Sequence, residues 1–229
     1  MFLNQLPIYF SFVFLFAFLF PVVMVAQLTQ KSGVKNGFKW VLGFYGIYLA
    51  VVAIASLNGF FDTVMLPPKI VLTTTLPLAV FLTILFSTKI CKEANLKLRL
   101  EQLVGVHIFR LIGGFFIILW LYDLLPTVFA LVAGVGDLLT AIGSIFVVSA
   151  IRNKKNYAKK LTFVWNTFGL LDILTTAVMA ILFTKFSIDT GSQGVEFLAE
   201  FPFCFIPAFA PATIIFLHLL VYRKLSGKK

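Results

Sequence analysis

Long apolar stretches separated by short polar connections occupy almost the whole chain. Crossing a hydrocarbon core of ~30 Å takes roughly 20 helical residues, and seven stretches reach or approach that length. A transmembrane β-barrel would need segments of about ten residues with alternating polarity, and residues 8–24 show no alternation. The pattern predicts an all-α seven-helix transmembrane bundle, formed as one domain by residues 1–229. The predicted spans are 8–27, 38–57, 70–90, 103–122, 127–151, 161–183 and 205–222.

Basic residues between the predicted spans alternate between the two sides of the bundle. Sixteen of the 19 Lys and Arg residues lie in the first, third and fifth connections, at the span ends beside them, or after the last span. The opposite connections contain only Lys69 and Lys185. Because Lys and Arg in short loops stay in the cytoplasm, this bias predicts an N-terminus outside and a cytoplasmic C-terminus. The bias agrees at every connection, which favours seven spans.

The composition supports a membrane location. The chain is 60% hydrophobic and 12% charged, whereas charged residues make up about a quarter of an ordinary soluble domain. The net charge of +10 comes from clusters between spans and not from a surface stripe, so we expect the lipid bilayer as partner and no nucleic acid. Fifteen Lys against four Arg, with many Phe and Ile, are compatible with an AT-rich genome and predict a bacterial inner membrane.

Three charged residues lie deep within predicted spans, away from their ends. Arg110 is in the fourth span, Asp137 in the fifth and Asp172 in the sixth. At ~1.5 Å of rise per residue, Arg110 lies roughly 10 Å from the cytoplasmic boundary and both aspartates lie near the midplane, at ~15 Å. Charges at such depth are costly and mark a functional site by default. We therefore expect the three side chains to face one another across a common interior.

Three uncharged polar residues are predicted on the cytoplasmic side of this cluster. His107 and His218, the only two histidines of the chain, lie about 6 Å inside the boundary, and Asn166 lies about 8 Å inside it. We predict that Asn166 belongs to the ligand or ion site with the charged residues. The two histidines are candidates for relay or gating. A simple near-interface position, wetted by headgroups, is the alternative for each histidine.

Small residues and prolines predict how the spans pack. Small residues repeat along one face of the fifth span, which permits close helix approach. Pro207 and Pro211 are one turn apart in the last span, where each removes a backbone hydrogen bond and favours a bend. The small residues of that face are Ala133, Gly136, Thr140 and Gly143.

Aromatic and turn residues mark the predicted membrane boundaries. Residues 187–203 form the longest outer connection, in which Asp189, Gly191 and Gly194 indicate a turn. A short interfacial helix is an alternative for the second half of that connection. The three tryptophans are typical of an interfacial aromatic belt, and they are Trp40, Trp120 and Trp165.

Several function classes remain open. Two carboxylates facing one guanidinium leave an excess negative charge, so either one aspartate is protonated or a cation completes the site. This favours binding or translocation of a small ligand, ion or proton. One alternative is an intramembrane enzyme acting on a lipid-like substrate, with the carboxylates as acid and base. Another is a single-haem carrier with His107 and His218 as axial ligands.

Other classes lack the residues they require. A retinal protein needs a lysine at mid-depth of the last helix, and the last span has none before Lys224. No recognised catalytic motif appears, so no catalytic residue is assigned. No cofactor or metal ligand is predicted, although haem or a metal at His107 and His218 stays an open alternative. A structural role, in which the charged cluster fixes the register of the helices, is the alternative to all these functions.

Overall fold

The computed structural model describes residues 6–227 of the chain. Within this part the apolar stretches form helices, and there is no β-strand. Lys228 and Lys229, which contribute to the predicted orientation, lie outside the described residues. The α-helices are α1 (Ile8–Lys31), α2 (Gly37–Leu57), α3 (Leu76–Ser87), α4 (Lys89–Lys97), α5 (Leu100–Gly105), α6 (Gly114–Leu121), α7 (Thr127–Arg152), α8 (Ala158–Thr190) and α9 (Phe205–Leu225).

Within residues 6–227, six helical segments are long and apolar enough to cross a membrane. Their outward faces carry large apolar side chains, such as Phe16 with 79% of its surface exposed and Ile47 with 71%. Soluble monomers rarely expose apolar surface on this scale. The protein is therefore an all-helical, multi-pass membrane protein. The six segments are α1, α2, Leu100–Leu121, α7, α8 and α9.

The predicted span 70–90 is bent where the sequence suggested one helix. A π-helical turn over Val71–Thr75 leads into α3, and α4 leaves α3 at an angle of 75°. The Thr88 hydroxyl caps α4 by accepting a hydrogen bond from the Cys91 N–H, at 3.2 Å. A seventh span exists if this bent pair crosses the membrane as one unit.

The predicted span 103–122 is irregular in its middle. It is continuous from Leu100 to Leu121, but residues Val106–Gly113 form a 3₁₀-helix between α5 and α6. A regular α-helix was therefore the wrong expectation for these eight residues. A 3₁₀-helix has three residues per turn and ~2.0 Å of rise, so residues three apart face the same direction.

Helix α8 is longer than the predicted span 161–183. Its 33 residues correspond to about 50 Å, so the helix is longer than a hydrocarbon core of ~30 Å. Residues 187–190, expected in a loop, are helical, and Gly191 ends the helix with a left-handed φ of 69°. A short 3₁₀-helix, Glu196–Ala199, follows in the connection to α9.

The core of the bundle lies between α9 and the Leu100–Leu121 segment. The fraction of buried residues is larger in these two helical segments than in α1, α2 and α8. Helix α7 packs against α8 and against the 3₁₀-helix. The elements that carry the predicted polar residues therefore meet in the interior.

Prolines and hydroxyl groups connect α9 to the helices beside it. Pro211 lies inside α9 and has no N–H for the carbonyl of Pro207, one turn earlier. The Thr75 hydroxyl donates to that carbonyl oxygen at 2.6 Å, and the Tyr48 hydroxyl donates to the Ala208 carbonyl at 3.1 Å. Hydroxyl groups from α2 and from the π-helical turn thus donate hydrogen bonds to backbone carbonyls in the irregular first turns of α9.

Candidate functional site

The 3₁₀-helix presents two of the predicted site residues to the interior. His107, Arg110 and Gly113 are three residues apart, so they lie on one face, and all three are buried. This face meets α7, α8 and α9. Because a 3₁₀-helix aligns residues three apart more closely than an α-helix does, the imidazole of His107 and the guanidinium of Arg110 lie on the same side.

Arg110 is fully buried and contacts both predicted aspartates. Its Nε donates to Asp137 Oδ1 at 2.6 Å, and its Nη2 donates to Asp172 Oδ2. Its Nη1 donates to the Gly169 carbonyl at 2.9 Å. The sequence predicted this bridge between helices, and the structure places all three charged side chains together. Their functional role stays a prediction.

Two glycines give the carboxylates the space to reach the guanidinium. A Cβ atom at Gly113 would overlap the side chain of Asp137, and a Cβ atom at Gly136 would overlap the carboxylate of Asp172. On the small-residue face of α7, Gly143 lies beside the Trp165 ring, where a Cβ would be 3.0 Å from Cδ1. This face therefore serves close packing, as predicted, and also admits a charged side chain.

His218 occupies the third side of the guanidinium. Its Nε2 lies 3.2 Å from Nη1 of Arg110, and its Nδ1 lies 2.8 Å from Asn166 Oδ1. A guanidinium only donates, so Nε2 accepts and Nδ1 carries the proton that goes to the amide oxygen. The Asn166 amide nitrogen donates to the His218 carbonyl at 3.2 Å, consistent with this assignment. Hydrogen bonding thus defines His218 as the neutral Nδ1–H tautomer.

His107 is buried beside His218 without a hydrogen bond. Its ring centroid lies 4.2 Å from that of His218, and neither ring nitrogen has a hydrogen-bond partner among the described residues. The edge of the Trp165 ring system lies against it, with centroids 5.2 Å apart. Trp165 is itself buried and donates to the Thr140 carbonyl at 2.9 Å. The aromatic-belt interpretation was therefore wrong for Trp165, which is a wall of the site.

The charged cluster and the polar residues predicted on its cytoplasmic side are connected in the structure. Arg110 joins the aspartates and His218 in one continuous network, since its guanidinium touches all three side chains. Residues that the sequence reasoning missed are Gly169, Thr140 and Trp165. The first two contribute backbone carbonyls, which no sequence pattern reveals.

A small cavity adjoins the cluster. Its volume is about 120 Å³, and Arg110 and Asp137 are among its lining residues. Most other lining groups are apolar, with Thr75 and Thr176 as polar exceptions. Pockets for drug-sized ligands occupy ~300–1,000 Å³, so this cavity accommodates only a few water molecules or a very small ligand. Neither histidine lines it.

Most of the chain matches a protein-family model. The family model described as a domain of unknown function (DUF8737) matches residues 67–226. The chain belongs to this family. Comparison with curated proteins and with solved structures found no match. The region matched to the DUF8737 family contains all six predicted site residues, whereas α1 and α2 precede it.

The two histidines of this DUF8737 family member do not fit a haem between them. Axial ligation places the iron and its macrocycle between two imidazoles, whereas the His107 and His218 rings contact each other directly. Both nitrogens of His218 are already hydrogen-bonded. Within residues 6–227, no group of three or more His, Cys, Asp or Glu side chains has a metal-binding arrangement.

Proposed function

We propose that this membrane protein binds a proton or a small cation at Asp137 and Asp172 and moves it across the bilayer. The observation that carries the proposal is the charge of the buried network. One guanidinium faces two carboxylates, and the histidine that completes the contacts is the neutral tautomer. With both carboxylates ionised, the network has a net charge of −1. Burial makes such an uncompensated charge costly.

The cavity supports a small cargo. Asp137 is the carboxylate that lines it, so a proton or cation in the cavity reaches the network through this residue. The volume of about 120 Å³ is below that of ordinary substrate pockets. A mostly apolar lining with one carboxylate suits a proton carried by water, or a small cation, better than a polar metabolite.

The membrane arrangement is part of the proposal. We infer seven spans, with the bent pair of α3 and α4 as the third, an N-terminus outside and a cytoplasmic C-terminus, from the distribution of Lys and Arg. In this arrangement the cavity lies in the outer half of the bundle, and His107 lies on the cytoplasmic side of Arg110. The two histidines are then candidates to relay a proton inward. The composition favours a bacterial inner membrane.

Proton binding is tested by infrared spectroscopy of the purified protein. A protonated carboxyl group has a C=O stretching band that a carboxylate lacks. We expect this band in the wild type and its loss in both Asp137→Asn and Asp172→Asn, because either substitution removes the excess negative charge that retains the proton. Asp123→Asn removes an aspartate outside the cluster and is the matched control. A spectrum without this band, at a pH where the wild type is active, supports the cation and contradicts the proton.

Translocation is tested in proteoliposomes that contain a pH-sensitive dye. A proton gradient is imposed, first with sodium and then with potassium as the external cation. The gradient should dissipate faster in liposomes that contain the wild type or Asp123→Asn than in empty liposomes. Asp137→Asn should reduce this flux to the level of empty liposomes, because it removes the carboxylate at the cavity. Wild-type flux equal to that of empty liposomes, or full flux in both cluster variants, would overturn the proposal.

A further inference from the structure

An open groove lies at the opposite end of the bundle from the short 3₁₀-helix at Glu196–Ala199. Its volume is about 930 Å³, and its walls come from α3, the start of α8 and the end of α9. The lining residues include three cations, Lys159, Lys160 and Arg223, and no acidic side chain. We propose that this groove binds one anionic phospholipid, with the phosphate at the three cations and an acyl chain along the apolar wall.

The two lysines are available for an anion. Both are exposed, and the ion pairs found within residues 6–227 do not include either of them. Both lie in the first turn of α8, where the helix dipole disfavours positive charge. An anion bound beside them is therefore stabilised by two ammonium groups and relieves this unfavourable placement.

Arg223 is held at the groove by the end of α3. Its Nη2 donates to the Phe86 carbonyl at 2.7 Å, and its guanidinium lies 3.4 Å from the centroid of the Phe86 ring. Phe86 also lines the groove. A guanidinium has five N–H donors, so this anchored side chain keeps donors for a phosphate oxygen. Its position is fixed before any lipid arrives.

The apolar wall fits an acyl chain. Phe163 and Leu219 line the groove and are 54% and 37% exposed. The cations and these apolar side chains lie side by side, as do the headgroup and chain of a phospholipid. The basic connections assign this end of the bundle to the cytoplasmic leaflet, where anionic lipids attract basic clusters. Charge and apolar surface together therefore identify the occupant as an anionic phospholipid.

The charge contribution is tested by native mass spectrometry of the full chain in detergent, titrated with phosphatidylglycerol or phosphatidylcholine. We expect the wild type to prefer phosphatidylglycerol, and Lys159→Gln/Lys160→Gln to bind it roughly tenfold more weakly. Lys154→Gln/Lys155→Gln makes the same change of charge in the same connection but outside the groove, and it should bind as the wild type does. Equal losses in both double variants would show diffuse surface attraction and overturn the site.

The acyl contribution separates a lipid from free phosphate. Phe163→Ala should weaken phosphatidylglycerol binding, whereas Phe168→Ala, which removes an exposed ring elsewhere on α8, should not. Glycerol phosphate, which has the headgroup chemistry without chains, should compete poorly. Displacement of the lipid by glycerol phosphate at equal concentration would show a free-phosphate site and contradict the proposal. Neither result depends on proton or cation movement through the Arg110 cluster.

Discussion

At the scale of residues, the two histidines differ although they are in contact. His218 has a hydrogen-bond partner for each ring nitrogen, whereas the equally buried His107 has none within residues 6–227. A buried polar group without a partner costs about 1–3 kcal/mol. The fold therefore tolerates an energetic cost at His107 that it avoids at His218.

Substitution of the two histidines should consequently have opposite effects on stability. His107→Leu removes an unpaired polar group and should leave the thermal unfolding temperature in detergent unchanged or raise it. His218→Leu leaves the Asn166 amide oxygen and one Arg110 N–H without that partner, and should destabilise the protein by about 2–3 kcal/mol. A fall in unfolding temperature of the same size for both variants would show that the His107 imidazole has a stabilising partner.

The sequence predicted the charged cluster but not its local geometry. Arg110 and the two aspartates could be paired because charges in apolar helices must face one another to avoid lipid. The 3₁₀-helix at Val106–Gly113 escaped prediction, since over eight residues a repeat of 3.0 resembles one of 3.6. The larger rise of a 3₁₀-helix changes the calculated depth of Arg110 by only ~2 Å. The residues form one network because the long Arg110 side chain reaches both the aspartates and His218.

At the scale of helices, side chains of α7 and α9 meet α8 at Gly169. Its carbonyl accepts from Arg110, and a Cβ at this position would lie 2.7 Å from His218 Cε1 and 2.7 Å from Thr140 Cγ2. Both neighbours are buried side chains from different helices. Gly169 therefore sets the separation of three helices at the level of the cluster.

Gly169→Ala should destabilise the bundle by about 1–3 kcal/mol, because overpacking forces buried neighbours to move. The matched control is Gly46→Ala in α2, where nothing lies within 4 Å of the added Cβ. Alanine is the better helix former, so this control should be neutral or stabilising. Thermal unfolding of both variants in one detergent compares them directly, and equal stability would contradict the packing role of Gly169.

At the scale of the whole molecule, the bent pair of α3 and α4 decides the topology. If the pair crosses the membrane, the connections 32–36 and 153–157 lie on the same side. If the pair instead forms a re-entrant loop, which enters the membrane and returns to the same side, these two connections lie on opposite sides. Lys224 donates to the Asn95 and Leu96 carbonyls at the end of α4, at 3.2 and 2.9 Å, so the position of α4 is fixed by the end of α9.

Labelling of single cysteines in intact cells distinguishes the two topologies. We expect Lys35→Cys and Asn156→Cys to be protected from a membrane-impermeant thiol reagent and Ser192→Cys to be labelled. The wild type supplies the background, since Cys91 and Cys204 are both buried. Labelling of only one of the first two variants would contradict seven spans.

The proline inside α9 has a consequence for how substitutions combine. Because Pro211 supplies no N–H, the Thr75 hydroxyl is the donor that the structure gives to the Pro207 carbonyl. Loss of that hydroxyl alone leaves the Pro207 carbonyl without this hydrogen bond, whereas a new amide N–H at position 211 would donate to it from within the helix. The effect of Thr75→Val thus depends on which residue occupies position 211. These two sites, in different helices and far apart in the chain, are epistatic through a single oxygen atom.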